Sequence, residues 1–306
     1  MPTFQAEIQR LEQWGDCTLG FSAIHLPSAR SLGYHDNRPF QLCSTYKLPI
    51  VVCLLKKVEK GELSLDHLCT ISESDLCPGI VSTLNQLQYS TPVTLSVFNL
   101  LQFMLQESCN TASDILLRLI GGPVVVMKFL QELGIDDLRV DRFSLEIIAD
   151  SDGIDLNKLG HSYTLQRYQE LENQLSLEDK KQAREKFKTD PRDKGTPGSM
   201  TRLLSLVKSH EILKPENSLL LLNVMQRCKT GEQRIMGLLS PGIRVSHKTG
   251  TATGLTNDAG IIYLPGGQGE VVLSVFVEHL EKPRAIGERL IAEVSRNVVD
   301  YFLFQS

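Results

Sequence analysis

Several features are missing from this 306-residue sequence, and each absence removes a class of function. No stretch approaches the roughly 20 consecutive apolar residues of a membrane-spanning helix, so no transmembrane segment is expected. Met1 to Glu7 lacks a charged start and an apolar core, so the chain carries no recognisable secretory leader. No basic run is interleaved with aromatics, and a net charge of -4 opposes a polyanion surface. Nucleic acid is therefore not an expected partner. The seven cysteines, at positions 17, 43, 53, 69, 77, 109 and 228, are odd in number and contain no Cys-x-x-Cys. That spacing supports neither a zinc centre nor a redox motif, and no metal or organic cofactor is implied. So many free thiols suit a reducing compartment, whereas an exported protein recorded without its leader would read the same way, and localisation stays open. No internal repeat is visible.

What is present reads as an ordinary globular chain. Hydrophobic residues make up 42% and charged residues 22%, enough for one large domain or two lobes with ample core. Phe4, Ile8, Leu11 and Trp14 recur at helical spacing up to Gly15. Thr18 to His25 and Ser31 to His35 read as two short strands. From Ser44 to about Val207 the period is helical: Lys47 to Lys60 ended by Gly61, Thr94 to Gln106, Ala112 to Ile120, and Val124 to Leu133. Residues 150 to 190 are polar and rich in Gln, Glu and Lys. They read as a solvated helical excursion, with Ser176 and Asp179 forming a capping box for its second helix. Arg244 to Lys248, Ala259 to Tyr263 and Glu270 to Val277 return to strand period, and Arg284 to Phe304 closes the chain as a helix. Strands at both ends around a helical middle imply a discontinuous α/β lobe, 1–43 and 208–306. An all-α lobe, 44–207, is inserted into it, with the active site at their junction.

The chemistry is expected at Ser44-Thr45-Tyr46-Lys47. A serine opening a buried helix lies in the positive end of the helix dipole, and Lys47, three residues on, shares its face. A lone Ser-x-x-Lys is common by chance. It gains weight because Ser108-Cys109-Asn110 and Lys248-Thr249-Gly250-Thr251 follow in that order. Together the three motifs resemble the active-site set of serine β-lactamases and penicillin-binding proteins, closest to the class A branch. The resemblance covers nearly the whole chain except 150–190 and implies an α/β fold with an antiparallel sheet flanked by helices.

On this reading Ser44 is the nucleophile, Lys47 its base with a pKa lowered by Lys248, and Ser108 the proton donor to the leaving nitrogen. Asn110 positions Lys47 and a substrate amide. Thr249 and Thr251 bind a substrate carboxylate, Gly250 lets the substrate lie against the strand, and the backbone N–H groups of Ser44 and Thr251 form the oxyanion hole. Arg234 resembles the arginine that some class A enzymes direct at the substrate carboxylate, with a surface arginine as the plain alternative. His247, Cys43 and Cys109 read as structural.

The resemblance fails in one place. Val140 to Ile148 resembles the class A omega loop, but the position of the glutamate that activates the deacylating water is Ser144. The loop asparagine falls at Ile148, and the bracing asparagine matches Asp114. Arg142 and Asp193 remain placed to close the loop's neck. Glu146 is the nearby substitute carboxylate, but a two-residue shift in an ordered loop changes its direction and argues against it. The sequence thus points to a serine acyl-transfer hydrolase taking a β-lactam or a D-alanyl-D-alanine-like, peptidoglycan-like amide, with weak or atypical hydrolysis. A penicillin-binding DD-peptidase is the alternative within the class. A non-hydrolytic sensor contacting a partner protein through 150–190 is the alternative outside it. The family resemblance implies export, against the missing leader.

Overall fold

The computed structural model describes residues 2–79, 82–86, 92–159 and 163–304. Residues 160–162 of the expected excursion lie outside the described residues. In chain order the helices are α1 (Pro2–Gly15), α2 (Lys47–Glu59), α3 (Thr83–Gln86), α4 (Val97–Gln106), α5 (Asn110–Leu119), α6 (Pro123–Glu132), α7 (Ser144–Asp152), α8 (Leu165–Gln174), α9 (Leu177–Thr189), α10 (Pro197–Lys208), α11 (Pro215–Met225) and α12 (Arg284–Phe304). The strands are β1 (Thr18–His25), β2 (Arg30–Tyr34), β3 (Phe40–Gln41), β4 (Leu68–Ile71), β5 (Val93–Ser96), β6 (Lys194–Gly195), β7 (Val245–Ala252), β8 (Leu255–Tyr263) and β9 (Glu270–Glu278).

Five strands form one sheet in the order β2-β1-β9-β8-β7, with antiparallel neighbours. First and last segments of the chain thus share the sheet, while the intervening helices pack on one of its faces. Ala259, Ile261, Val272 and Phe276 face the larger core, where they join α2, α4, α5, α10 and α11. Ile262, Val271, Leu273 and Val275 face the other core, beneath α1 and α12. This is the alternation that period-2 side chains demand of a sheet covered on both faces.

Helix α2 is the axis of the larger core. Leu48, Ile50, Val51, Val52, Leu54 and Leu55 are all fully buried, and each such side chain contributes about 1.5–3 kcal/mol of transfer free energy. Pro49 is tolerated because the first turn of a helix has no intrahelical acceptor for its missing N–H. Gly61, at φ 73, ends the helix in a conformation that disfavours a β-carbon.

Two expectations change. Thr94 to Ser96 is not helix but strand β5, paired with β4 from Leu68 to Ile71, and α4 begins only at Val97, capped by Ser96. The three residues fit helix periodicity locally, and the tertiary partner decided their state. The polar segment 150–190 is also more than a solvated excursion. Ala149, Ile154, Leu159 and Tyr168 form a third small core, Tyr163 Oη donates to Leu76 O at 2.6 Å, and α9 returns Phe187 to the main body. The capping box at Ser176 and Asp179 forms as expected.

Candidate active site

The turn that carries Ser44 is held by one side-chain amide and one close glycine approach. Cys43–Tyr46 is a short 3-10 turn leading into α2. It is pinned to strand β8 through Asn257, whose side-chain amide donates to Gln41 O at 2.7 Å and Leu42 O at 3.2 Å. A β-carbon on Gly250 would lie 2.6 Å from Leu42 O and 3.2 Å from Ser44 N. The glycine at 250 is therefore required by the serine's own turn, a different reason from room for substrate. Cys43 and Ser108 both hold positive φ, 49 and 59, so the residues flanking the cleft are kept in a sparsely populated conformation by their surroundings.

Lys47 is fully buried. Its ammonium donates to Ser108 O at 2.7 Å, Asn110 Oδ1 at 2.7 Å and Ser108 Oγ at 3.4 Å. Lys248, also fully buried, donates to Ser108 Oγ at 2.9 Å and Thr249 O at 2.8 Å. One hydroxyl thus lies between two lysines, one from helix α2 and one from strand β7. Burial, then the nearby Lys248 charge, lowers the Lys47 pKa to about 7. Burial lowers that of Lys248 to about 8. A neutral amine is available near neutral pH, as a base requires.

Ser44 lines a cleft of about 160 Å³ together with Asn110, Ser144, Ile148, Phe187 and Thr251. No hydrogen bond joins Ser44 Oγ to Lys47 among the described residues; the ammonium is directed at Ser108 and Asn110 instead. Asn110 Nδ2 donates to Pro78 O at 3.1 Å, so its amide is held from both ends. Thr249 Oγ1 lies 2.6 Å from Thr230 Oγ1.

Arg234 is neither a surface arginine nor free for a substrate. It is buried, and its guanidinium donates to Gly250 O at 3.0 Å, Asn257 O at 2.9 Å and Thr251 Oγ1 at 2.7 Å, with Glu288 beside it at 3.2 Å. It orients Thr251 and bridges β7 to β8. His247 is buried beneath the same strand, its Nδ1 2.9 Å from both carboxylate oxygens of Asp258. Cys109 serves as the N-cap of α5, its sulfur accepting from Ala112 N at 3.4 Å and Ser82 Oγ at 3.0 Å. Burial pushes the Cys43 thiol up to about 12, which removes the thiolate a nucleophile needs.

The omega-loop region is intact at its neck and rebuilt inside. Arg142 Nε donates to Asp193 Oδ2 at 2.6 Å, and Asp193 Oδ1 accepts from Asp141 N at 2.7 Å. Asp190, at 3.1 Å, and Asp150 complete the cluster around the buried guanidinium. Burial raises the Asp190 pKa, but Arg192 and Arg142 outweigh it and hold the carboxyl at about 2.

Inside the loop, Ser144 starts α7. Asp114 accepts from Ser144 N at 2.6 Å and from Leu145 N at 2.9 Å, capping that helix from outside. Burial raises the Asp114 pKa despite these donors. Ser144 Oγ lies 2.6 Å from Tyr46 Oη, which is 3.2 Å from Ser113 Oγ. Glu146, expected as a substitute carboxylate, is exposed and accepts from Phe143 N at 2.8 Å as a capping residue. It is not among the residues lining the cleft. As the third residue of α7, it is carried round the helix from Ser144. Tyr46 and Phe187 are residues that sequence reasoning missed. Only Tyr46 left a signal, by occupying a variable position inside Ser-x-x-Lys.

Ser44 thus lies near two buried lysines, whose pKa values burial lowers, at the junction of a five-stranded antiparallel sheet and a helical layer. A family model described as "Beta-lactamase enzyme family" matches residues 3–302, and the chain belongs to that family. It is 25% identical over 305 residues to beta-lactamase VEB-1 of Pseudomonas aeruginosa, covering 97% of this chain and 89% of the relative. It is 26% identical over 308 residues to a beta-lactamase of Bacteroides uniformis, covering 98% and 91%. A reconstructed ancestral (GNCA) class A beta-lactamase superposes with a TM-score of 0.79 at 26% identity, covering 97% of this chain and 99% of that one. The fold is the class A β-lactamase fold. Among the described residues no grouping of three or more His, Cys, Asp or Glu is arranged to hold a metal.

Proposed function

We propose that this protein is a serine acyl-transfer enzyme, acylated at Ser44 by β-lactams or D-alanyl-D-alanine-like amides and deacylated slowly. The observation that carries the reading is the contrast around the cleft. Lys47, Ser108, Asn110 and Lys248 form a connected proton-handling set, while the place for a water-activating base holds Ser144 bonded to Tyr46. In the proposed step Ser44 Oγ attacks the carbonyl carbon and its proton passes to neutral Lys47. The carbonyl–nitrogen bond then breaks as Ser108, backed by Lys248, delivers a proton to the leaving nitrogen. The backbone N–H groups of Ser44 and Thr251 receive the oxyanion. Thr249, Thr251 and Lys248 hold the substrate carboxylate, with Arg234 orienting Thr251.

Hydrolysis of the ester needs a base beside the acyl group. A serine hydroxyl is a poor one, and Asp114, the nearest buried carboxylate, is occupied by two backbone N–H groups. A DD-peptidase is the second reading, favoured by the same missing carboxylate. A sensor contacting a partner through 150–190 would keep acylation and use the outer face of α9, where Leu177 is exposed. Compartment follows substrate on either reading, since a peptidoglycan-like amide requires export.

Intact-protein mass spectrometry after brief exposure to benzylpenicillin tests the proposal. The expected result is an adduct on Ser44 that persists for minutes or longer. Rapid loss of penicillin with no lasting adduct would overturn slow deacylation, and neither adduct nor loss would overturn acylation by β-lactams.

A further inference from the structure

A second groove opens from the nucleophile cleft and shares with it Ser151, Phe187 and Ala252. Its volume is about 240 Å³, and it runs between α9 and the end of β7. One wall is helix α9, which presents Lys180, Lys181, Arg184 and Lys188. Their spacing of one, three and four residues places them on one side of the helix. The other wall is Ala252, Thr253 and Leu255. Two acids also line it, Glu185 and Glu281, and both lie within ion-pair distance of Lys188, at 2.8 and 3.8 Å. Lys180 meets Glu172 at 3.4 Å. Lys181 and Arg184 have no carboxylate within 4 Å among the described residues, and both are exposed. A chain of net charge -4 therefore carries a cationic wall beside its cleft, supplied by a segment that sequence patterning treats as a solvated excursion.

The direction of the bound substrate connects this wall to the chemistry. In the function proposed above, the substrate carboxylate lies at Lys248 and Thr249. Strand β7 runs on from there through Thr251 to the groove at Ala252, and Thr253 is roughly 13 Å beyond Thr249 at ~3.3 Å per residue. The end of the substrate remote from the carboxylate at Thr249 is thus delivered to Lys181 and Arg184. We infer that this groove is a subsite for an anionic group on the acyl portion of the substrate, so that the enzyme selects acyl donors carrying a second carboxylate. The inference rests on the function proposed above for its placement, and on the charge and position of α9 for its chemistry.

The test compares benzylpenicillin with its α-carboxy derivative, which differ by one carboxylate on the acyl side chain. The second-order rate of Ser44 acylation is measured by rapid-quench mass spectrometry for the wild-type chain and for Lys181→Glu/Arg184→Glu. The expected result is a rate ratio favouring the carboxylated compound by roughly three- to tenfold, the scale of one or two exposed charge contacts. It should shrink at high salt and invert or vanish in the double variant. A control reversal, Lys60→Glu at the far end of α2, should keep the ratio. Equal ratios in wild type and double variant would overturn the inference. If neither penicillin acylates the protein, acylation by β-lactams fails, and titration with phenylmalonate and phenylacetate then decides the subsite alone. Preference for phenylmalonate that disappears in the double variant would uphold it, and indifference in both proteins would overturn it.

Discussion

The two halves of the cleft differ in what the chain has kept. On the side of Ser108 and Lys248, the buried charged and polar groups are bonded to one another: Lys47 to Ser108 and Asn110, and Lys248 to Ser108. On the side of α7, the buried groups are bonded into a packing unit instead, with Asp114 capping the helix and Tyr46 joined to Ser144 and Ser113. Both halves are polar and buried, so burial does not distinguish them. Tyr46 and Ser144 line the cleft beside Ser44, so the difference lies in chemistry. One side joins two lysines through a hydroxyl, and the other offers hydroxyls and a carboxylate turned to a helix N-terminus. Asp114, with each carboxylate oxygen accepting a backbone N–H of the α7 N-terminus, is directed at that helix.

Six experiments would break or sharpen this contrast. The largest effect is expected from Ser44→Ala, which should abolish covalent labelling by benzylpenicillin in mass spectrometry; retained label would place the nucleophile elsewhere. Next is Lys47→Met, which should slow acylation by roughly 10²–10⁴, the contribution of a positioned base, as measured by the rate of adduct formation. In the wild type, acylation should rise with pH through about 7, as Lys47 loses its proton. It should fall above about 8, as Lys248 loses the charge that holds an anionic substrate. A flat profile across that interval would separate neither lysine from the background.

The other half is tested by rebuilding it. Ser144→Glu alone would set a second carboxylate beside buried Asp114 and against Tyr46. It should lower Tm without speeding deacylation. Combined with Tyr46→Phe and Asp114→Asn, which remove the hydroxyl and the neighbouring charge, the same glutamate should raise adduct turnover at least about tenfold, part of what a general base supplies. Failure of the combined variant would mean that Ile148 and the enlarged loop, rather than the missing carboxylate, limit water.

Arg142→Ala should destabilise the fold by about 3–5 kcal/mol, read from denaturant unfolding, because it leaves Asp193 buried without its cation. The smallest effect is expected from Glu146→Gln. It should change stability by no more than about 1 kcal/mol, as for an exposed cap, and leave the adduct lifetime unchanged; a longer-lived adduct would return Glu146 to the mechanism.

Much of this was legible before any coordinates. The three motifs, their order, the paired strands at each end and the final helix from Arg284 to Phe304 follow from patterns confined to short windows. Thr94 to Ser96 departs from the expected helix because a four-residue strand beside a ten-residue helix has no period of its own, and only pairing with Leu68 to Ile71 settles it. Glu146 was visible as a carboxylate in the right loop, but a rotation of two residues on a helix is a matter of direction, which a linear string does not encode.

The sequence by itself determined the three motifs that hold Ser44, Lys47 and Lys248 and the serine at position 144, since each is a residue identity at a fixed spacing. Tertiary structure alone decided that Gly250 makes room for the serine's turn, that Arg234 is sealed between β7 and β8, and that α9 lays its lysines beside the cleft. These depend on distances between segments far apart in the chain. Packing of the whole core, rather than local preference, fixes which of their polar atoms remain free to act.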